Sequence, residues 1–180
     1  MTSLQLNSFL KPIFMNARLP RPDDLISGMA TELRSQIATH PIMIGIHTGG
    51  VWVAKRLHQS MNLTTPLGSI DISFYRDDFS RIGLHPEVKA SEIPDDIEDR
   101  CLILVDDVLQ TGRTIRAALN EIFSWGRPAA VQLAVLVERG GRELPIQPDV
   151  VGAQLDLDSS QHIKLSGPDT LEFSVSKRHT

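Results

Sequence analysis

The chain has 180 residues, 41% hydrophobic and 22% charged, the composition of one globular domain rather than of a disordered or fibrous chain. Its 18 Lys plus Arg against 22 Asp plus Glu, a net charge of -4, do not favour a protein that holds DNA or RNA mainly through phosphates. The single Cys101 excludes an internal disulfide, no run approaches the roughly 18 apolar residues of a membrane span, and Met1 to Phe14 does not read as a signal peptide, so one cytoplasmic domain over residues 1–180 is expected.

From Arg21 the pattern alternates between helical and strand periods, which predicts an α/β architecture. Asp23 or Asp24 is placed to cap a helix with Leu25, Met29, Leu33 and Ile37 on one stripe, broken by His40-Pro41. Ile42 to Ile46 is an apolar run of strand length that ends in the turn His47-Thr48-Gly49-Gly50. A second helix is expected from Val51, with Ala54, Leu57 and Met61 inward. Ser69 to Phe74 alternates like a half-buried strand. Tyr75 to Arg100 then carries eight acids, two prolines and little periodicity, the character of a functional loop or mobile hairpin. Cys101 to Val105 reads as a buried parallel strand. The stretch from Thr111 to Trp125 shows Ile115, Ala118, Leu119, Ile122 and Phe123 at helical spacing, stopped by Gly126-Arg127-Pro128. Ala130 to Val137 is the last strong strand, and loops with short strands are expected after Gly140.

The chemistry concentrates in C-L-I-L-V-D-D-V-L-Q-T-G-R-T, Cys101 to Thr114. A buried strand delivers Asp106 and Asp107 to its C-terminal edge, where open α/β sheets bind ligands. Thr111, Gly112 and Thr114 then lead into a helix, an arrangement suited to an anion, with Arg113 either an added charge or the first exposed helical residue. Hydroxyls at one end and a phosphate at the other describe a sugar phosphate. The acids would hold ribose hydroxyls directly or through a hydrated Mg²⁺. A solvated strand end is the bland alternative for the Asp-Asp pair alone; the whole combination outweighs it.

V-D-D-V-L-Q-T-G-R-T resembles the phosphoribosyl-pyrophosphate signature of the type I phosphoribosyltransferases. S-F-Y-R-D-D from Ser73, T-G-R-T-I-R-A-A-L from Thr111, G-R-P at Gly126 and Q-L-A-V-L-V-E-R-G-G-R-E-L-P-I from Gln132 are similar to the PyrR family, pyrimidine-operon attenuators with uracil phosphoribosyltransferase activity. The likeness runs from about Leu25 to about Val151. It implies an open, mostly parallel twisted sheet flanked by helices, with a flexible flap at about 75–100 and a small hood at about 139–180. It implies that Asp106 and Asp107 hold the ribose hydroxyls and, through water, Mg²⁺. Val108, Leu109, Gln110, Thr111, Gly112, Arg113 and Thr114 would bind 5-phosphoribosyl 1-diphosphate (PRPP), the last six wrapping its 5′-phosphate. His47, Thr48, Gly49 and Gly50 would form the pyrophosphate loop, where such enzymes often carry an unusual peptide geometry. Tyr75 and Arg76 would close over the reacting centre, with Arg76 catalytic, and Arg139, Val150 and Val151 would hold the base. Uracil and PRPP would give UMP and diphosphate, in a homodimer or higher homo-oligomer.

The chain also departs from the family pattern. Lys-Thr-Arg-Gly is the pyrophosphate turn of the members compared, and this chain has His47 and Gly49 there, so a fixed guanidinium is missing. Gln110 stands where purine-specific relatives place an aspartate, which argues against a purine substrate and leaves no named general base. Arg34 is the only Arg or Lys from Asp23 to His40, the stretch on which RNA-binding members draw. That scarcity argues against RNA attenuation; the alternative reading, which Gly49 and the retained sugar-phosphate loop would suit, is an mRNA-binding, UMP-sensing attenuator with weak or no catalysis, with Arg18, Arg21, Arg139 and Arg142 as its candidate basic patch.

Overall fold

The computed structural model describes residues 19–36, 40–72, 90–94 and 96–177. Helix α1 spans Pro22–Gln36, strand β1 Ile42–Ile46, helix α2 Gly49–Ser60 and strand β2 Leu67–Ile70. Strand β3 follows at Cys101–Leu109, helix α3 at Arg113–Trp125 and strand β4 at Ala130–Arg139. Strands β5 (Val150–Leu155), β6 (Gln161–Ser166) and β7 (Glu172–Lys177) complete the order. The first five strands form one sheet in the order β2-β1-β3-β4-β5, every pair parallel. β6 and β7 form a separate antiparallel hairpin. The expected α/β architecture, a parallel sheet with helices on both faces, is thus what forms. Among the described residues no helix is long and apolar enough to cross a membrane.

Central strands buried on both faces need continuous apolar runs, and β1, Ile-Met-Ile-Gly-Ile, is buried at every position. Alternate side chains divide the core in two. Met43, Ile103, Val105, Ala134, Leu136 and Val150 meet Met29 and Leu33 of α1 and Val53, Ala54 and Leu57 of α2. Ile42, Ile44, Leu102, Leu104, Leu133 and Val135 meet Ile115, Ala118 and Ile122 of α3. Each such fully buried aliphatic side chain contributes roughly 1.5–3 kcal/mol. The hairpin joins both the first layer, through Leu165 and Leu171, and the top of β4 and β5, where Ile163 meets Val137 and Leu155. Arg56 on α2 ties it down, donating to the Pro168 and Asp169 carbonyls and pairing with Asp23 of α1. Trp52 packs beside it, 2.7 Å from where a Cβ on Gly167 would lie.

Several boundaries differ from the expectation. Helix α1 begins at Pro22, so Asp23 and Asp24 lie inside its first turn, beside the positive end of the helix dipole, and neither is its cap. Helix α2 begins at Gly49, because the two glycines form its first turn instead of a loop before it. Met61 is its half-buried C-terminal cap. β2 is Leu67–Ile70, placed by pairing Met43 with Leu67 through Ile46 with Ile70, and it ends where β1 ends. β3 and β4 run on to Leu109 and Arg139, with Asp106 opposite Val135 and the pairing resuming at Val108 opposite Val137. Phe123 was expected inward and is 56% exposed, since the stripe of Ile115, Ala118 and Ile122 faces the sheet and Phe123 lies at its margin. Ile37, Ser73, Phe74, Tyr75 and Arg76 lie outside the described residues. The segment returning from there is anchored: Glu92 bridges Ser69 of β2, and Ile93 and Ile97 are buried in the α3-side core.

Candidate active site

Strand order reverses at β1, whose two neighbours β2 and β3 are reached by crossovers to opposite sides, and the crevice at such a switch point is where ligands bind. Two segments meet there. β3 carries Asp106, 3% exposed, and the half-buried Asp107, whose backbone N–H donates to Asp106 Oδ1 at 2.9 Å. The turn after β1 carries a cis His47–Thr48 peptide, the unusual geometry expected, and the His47 N–H donates to the Ile70 carbonyl at 2.9 Å. The glycines let this turn lie flat against the acids. A Cβ on Gly49 would stand 2.4 Å from Asp107 Oδ2, and one on Gly50 would stand 2.6 Å from the Val105 carbonyl oxygen. Asp107 is therefore seated at the N-terminus of α2, where no side chain caps the free amides.

The loop after β3 builds a second N-terminus. Gly112 takes φ 90° immediately before α3, a left-handed conformation that favours glycine, and Thr111 Oγ1 accepts the Arg113 N–H at 3.2 Å. The loop is held from behind by the segment after β4. The N–H groups of Glu143 and Leu144 both donate to the Thr111 carbonyl at 3.0 Å, and Arg142 Nε donates to the Gln110 carbonyl at 3.1 Å. Arg113 is exposed and pairs with Glu143 at 2.8 Å. Two helix N-termini thus converge on one pair of carboxylates. Free amides at such ends suit anions, and the carboxylates suit hydroxyl donors. An open groove of about 390 Å³ begins at His47 and follows β2 past Val51, Lys55 and Glu92, reaching neither aspartate.

This arrangement has counterparts. A phosphoribosyl transferase domain model matches residues 19–165. A protein of Nitrosococcus oceani called bifunctional protein PyrR is 58% identical over 168 residues, which are 87% of this chain and 95% of that relative. The chain belongs to the PyrR family of phosphoribosyltransferases. A second PyrR, from Pseudomonas putida, is 55% identical over 154 residues, 83% of this chain and 90% of that one. Among solved structures, a purine phosphoribosyltransferase of Pyrococcus horikoshii is 26% identical with a TM-score of 0.58, covering 75% of this chain and 82% of that one. A hypoxanthine-guanine phosphoribosyltransferase of Bacillus anthracis, 18% identical with a TM-score of 0.61 over 75% of this chain and 79% of that one, shares the fold.

On this PyrR-family scaffold, the residues from Asp106 to Thr114 and from His47 to Gly50 come together at one edge. The expected base-holding residues do not join them. Val150 is 1% exposed and sits in the core with Met29 and Leu33, and Val151 packs into the layer under α3. The reason is register: β5 enters opposite Ala134 at Val150 and reaches the site edge only at Leu155, opposite Arg139. Arg139 is 4% exposed, and its guanidinium donates to the Gln161 carbonyl at 2.6 Å and to that of Asp158 at 3.3 Å. It straps the hairpin to the sheet rather than reaching towards a ligand. The candidate RNA patch is dispersed likewise: Arg139 is buried, Arg142 is paired with Glu138, and Arg18 lies outside the described residues. Sequence reasoning missed Glu138, Glu143 and Gln154 altogether. The signal for the two glutamates was the charged run E-R-G-G-R-E at the end of the last strong strand, which reads equally well as a solvated turn; Gln154 gave none.

Proposed function

We propose that this PyrR-family protein transfers the phosphoribosyl group of PRPP to uracil, giving UMP and diphosphate. The observation that carries this reading is the pair of helix N-termini at Asp106–Asp107, one touching Asp107 through Gly49 and one a short loop downstream. A ligand with an anion at each end of a polyol suits that geometry. The ring hydroxyls lie on Asp106 and Asp107. The 5′-phosphate lies in Leu109–Thr114 and the diphosphate at His47–Gly50. The uracil N1–C1 bond forms as the C1–O bond breaks, the electron pair leaves with diphosphate, and the N1 proton is lost. The carboxylates oppose the positive charge that develops on the ribose ring. Closure over the centre and exclusion of water fall, on the family resemblance alone, to Tyr75 and Arg76, which lie outside the described residues.

The acid pair fits Mg²⁺. Its donors are hard oxygens, and among the described residues no third His, Cys, Asp or Glu groups with them, as for an ion that keeps waters and takes further oxygens from phosphates. Asp106 and Asp107 would hold it through water, and when bound it would neutralise the departing diphosphate. The family resemblance supports a cytoplasmic homodimer or higher homo-oligomer.

The test is diphosphate release from PRPP and Mg²⁺ with uracil and a panel of other bases, with Asp107→Asn in parallel. Uracil-dependent release that falls by about 10²–10³ in the variant is expected. Release driven by a purine instead, or by no base at all, overturns the reading.

A further inference from the structure

We propose that Arg142 is a positioning residue for the anion-binding loop, a role that rests on the reading of Leu109–Thr114 as the phosphate site. A trans peptide points its C=O and N–H in opposite directions. The Gln110 carbonyl is turned to Arg142 Nε, so the N–H of Thr111 in the same peptide faces the other way. The Thr111 carbonyl is turned to the Glu143 and Leu144 amides, so the Gly112 N–H faces away from them as well. The segment behind the loop thereby aims two consecutive amides at the ligand side.

Of the groups that hold these two carbonyls, Arg142 is the only side chain, and its own position is set by the sheet. Its Nη2 pairs with Glu138 Oε1, and Glu138 Oε2 accepts from Gln154 Nε2 at 3.0 Å. Glu138 is registered opposite Leu109 of β3 and Gln154 of β5. The loop's first carbonyl is therefore referenced to three strands through one guanidinium. Side-chain exposures of 26% for Arg142 and 21% for Glu138 keep this bracket largely out of water, where charged hydrogen bonds hold geometry best. A lysine keeps the charge near Glu138, yet a point donor does not replace a fork that bonds a carboxylate and a carbonyl at once.

The experiment compares Arg142→Lys and Arg142→Ala with the wild-type chain in steady-state kinetics over PRPP, inhibition by ribose 5-phosphate, and thermal melting. Arg127→Lys, at an exposed position beyond α3, serves as the control. The expected result is a rise of about tenfold or more in KM for PRPP and in the inhibition constant of ribose 5-phosphate in Arg142→Lys. Its kcat stays within about threefold and it melts as a folded protein. Arg142→Ala goes further in the same direction and is partly restored by added guanidinium. A variant that only melts lower, with wild-type KM and inhibition constant in its folded fraction, overturns the proposal. If the wild-type chain itself neither turns over PRPP nor binds ribose 5-phosphate, the phosphate-site reading fails first, and the two failures are told apart.

Discussion

Replacing Gly49 by alanine tests how closely the pyrophosphate turn and the acid pair are fitted. The new Cβ would sit 2.4 Å from Asp107 Oδ2 and 2.6 Å from its Cγ. Ordinary contact begins near 3.4 Å, so the carboxylate has to move by about 1 Å. It is the far end of a side chain, and swinging it away costs little stability, while alanine gains up to about 1 kcal/mol of helix propensity over glycine. The thermal midpoint is therefore expected to hold or rise. Activity is not: a misplacement of 1 Å in a catalytic array costs on the order of 10²-fold. Gly50→Ala has the opposite signature, since its Cβ meets the Val105 carbonyl oxygen at 2.6 Å, in the backbone of the central strand β3. That overpacking costs about 1–3 kcal/mol, a fall of roughly 3–10 °C. Scanning fluorimetry with and without PRPP, together with kcat/KM for PRPP, separates the two. A Gly49→Ala enzyme with wild-type kcat/KM, or one whose loss merely tracks unfolding, refutes the reasoning.

Arg139→Met removes a buried guanidinium from two carbonyls, and a loss of about 3 kcal/mol with an unchanged KM for PRPP is expected in melting and kinetic assays. Asp158 accepts from the Ser160 amide and hydroxyl, and these bonds hold its carboxyl below the ordinary range. In the acid range the native state then binds fewer protons here than the unfolded chain does. This small contribution is complete above the ordinary carboxylate pKa, fades as pH falls through the lowered one, and disappears in Asp158→Asn, as melting against pH would record. The α1 surface exposes Asp23, Asp24 and Glu32, and its one arginine, Arg34, donates to the Ser60 carbonyl. Binding of single-stranded RNA is therefore expected to be weak at 0.15 M salt and unchanged by Arg34→Gln in an electrophoretic assay.

Some elements were legible because one physical demand ruled them. β1 and the first half of β3 are buried on both faces, so their apolar runs have no other reading, and the acids after Val105 lie towards the C-terminal end of β3. α1 and α3 carry stripes that match the helical period. The start of α2 was hidden because glycines that open a helix look like glycines that make a turn. The end of β3 was hidden because strands rarely run on through two aspartates, which only the ladder to β4 sustains. Val150 was expected at the site edge for want of register: nothing local shows that it pairs opposite Ala134 and so falls short of that edge. Arg139 was misread because a charged residue beside a site invites a ligand, whereas its partners are carbonyls about 20 positions later, Asp158 and Gln161.

The β6–β7 hairpin bears on the order in which the molecule becomes competent. Leu165 and Leu171 complete the layer under α1 and α2, and Ile163 closes the top of β4 and β5, although all the ligand-facing loops precede them in the chain. A polypeptide emerging from the ribosome has therefore made its acid pair, its glycine turn and its phosphate loop before it has the residues that seal the sheet behind them. Translation halted before Leu171 leaves an uncovered seam between α1, α2 and the hairpin's place, an adhesive surface for chaperones and proteases to recognise.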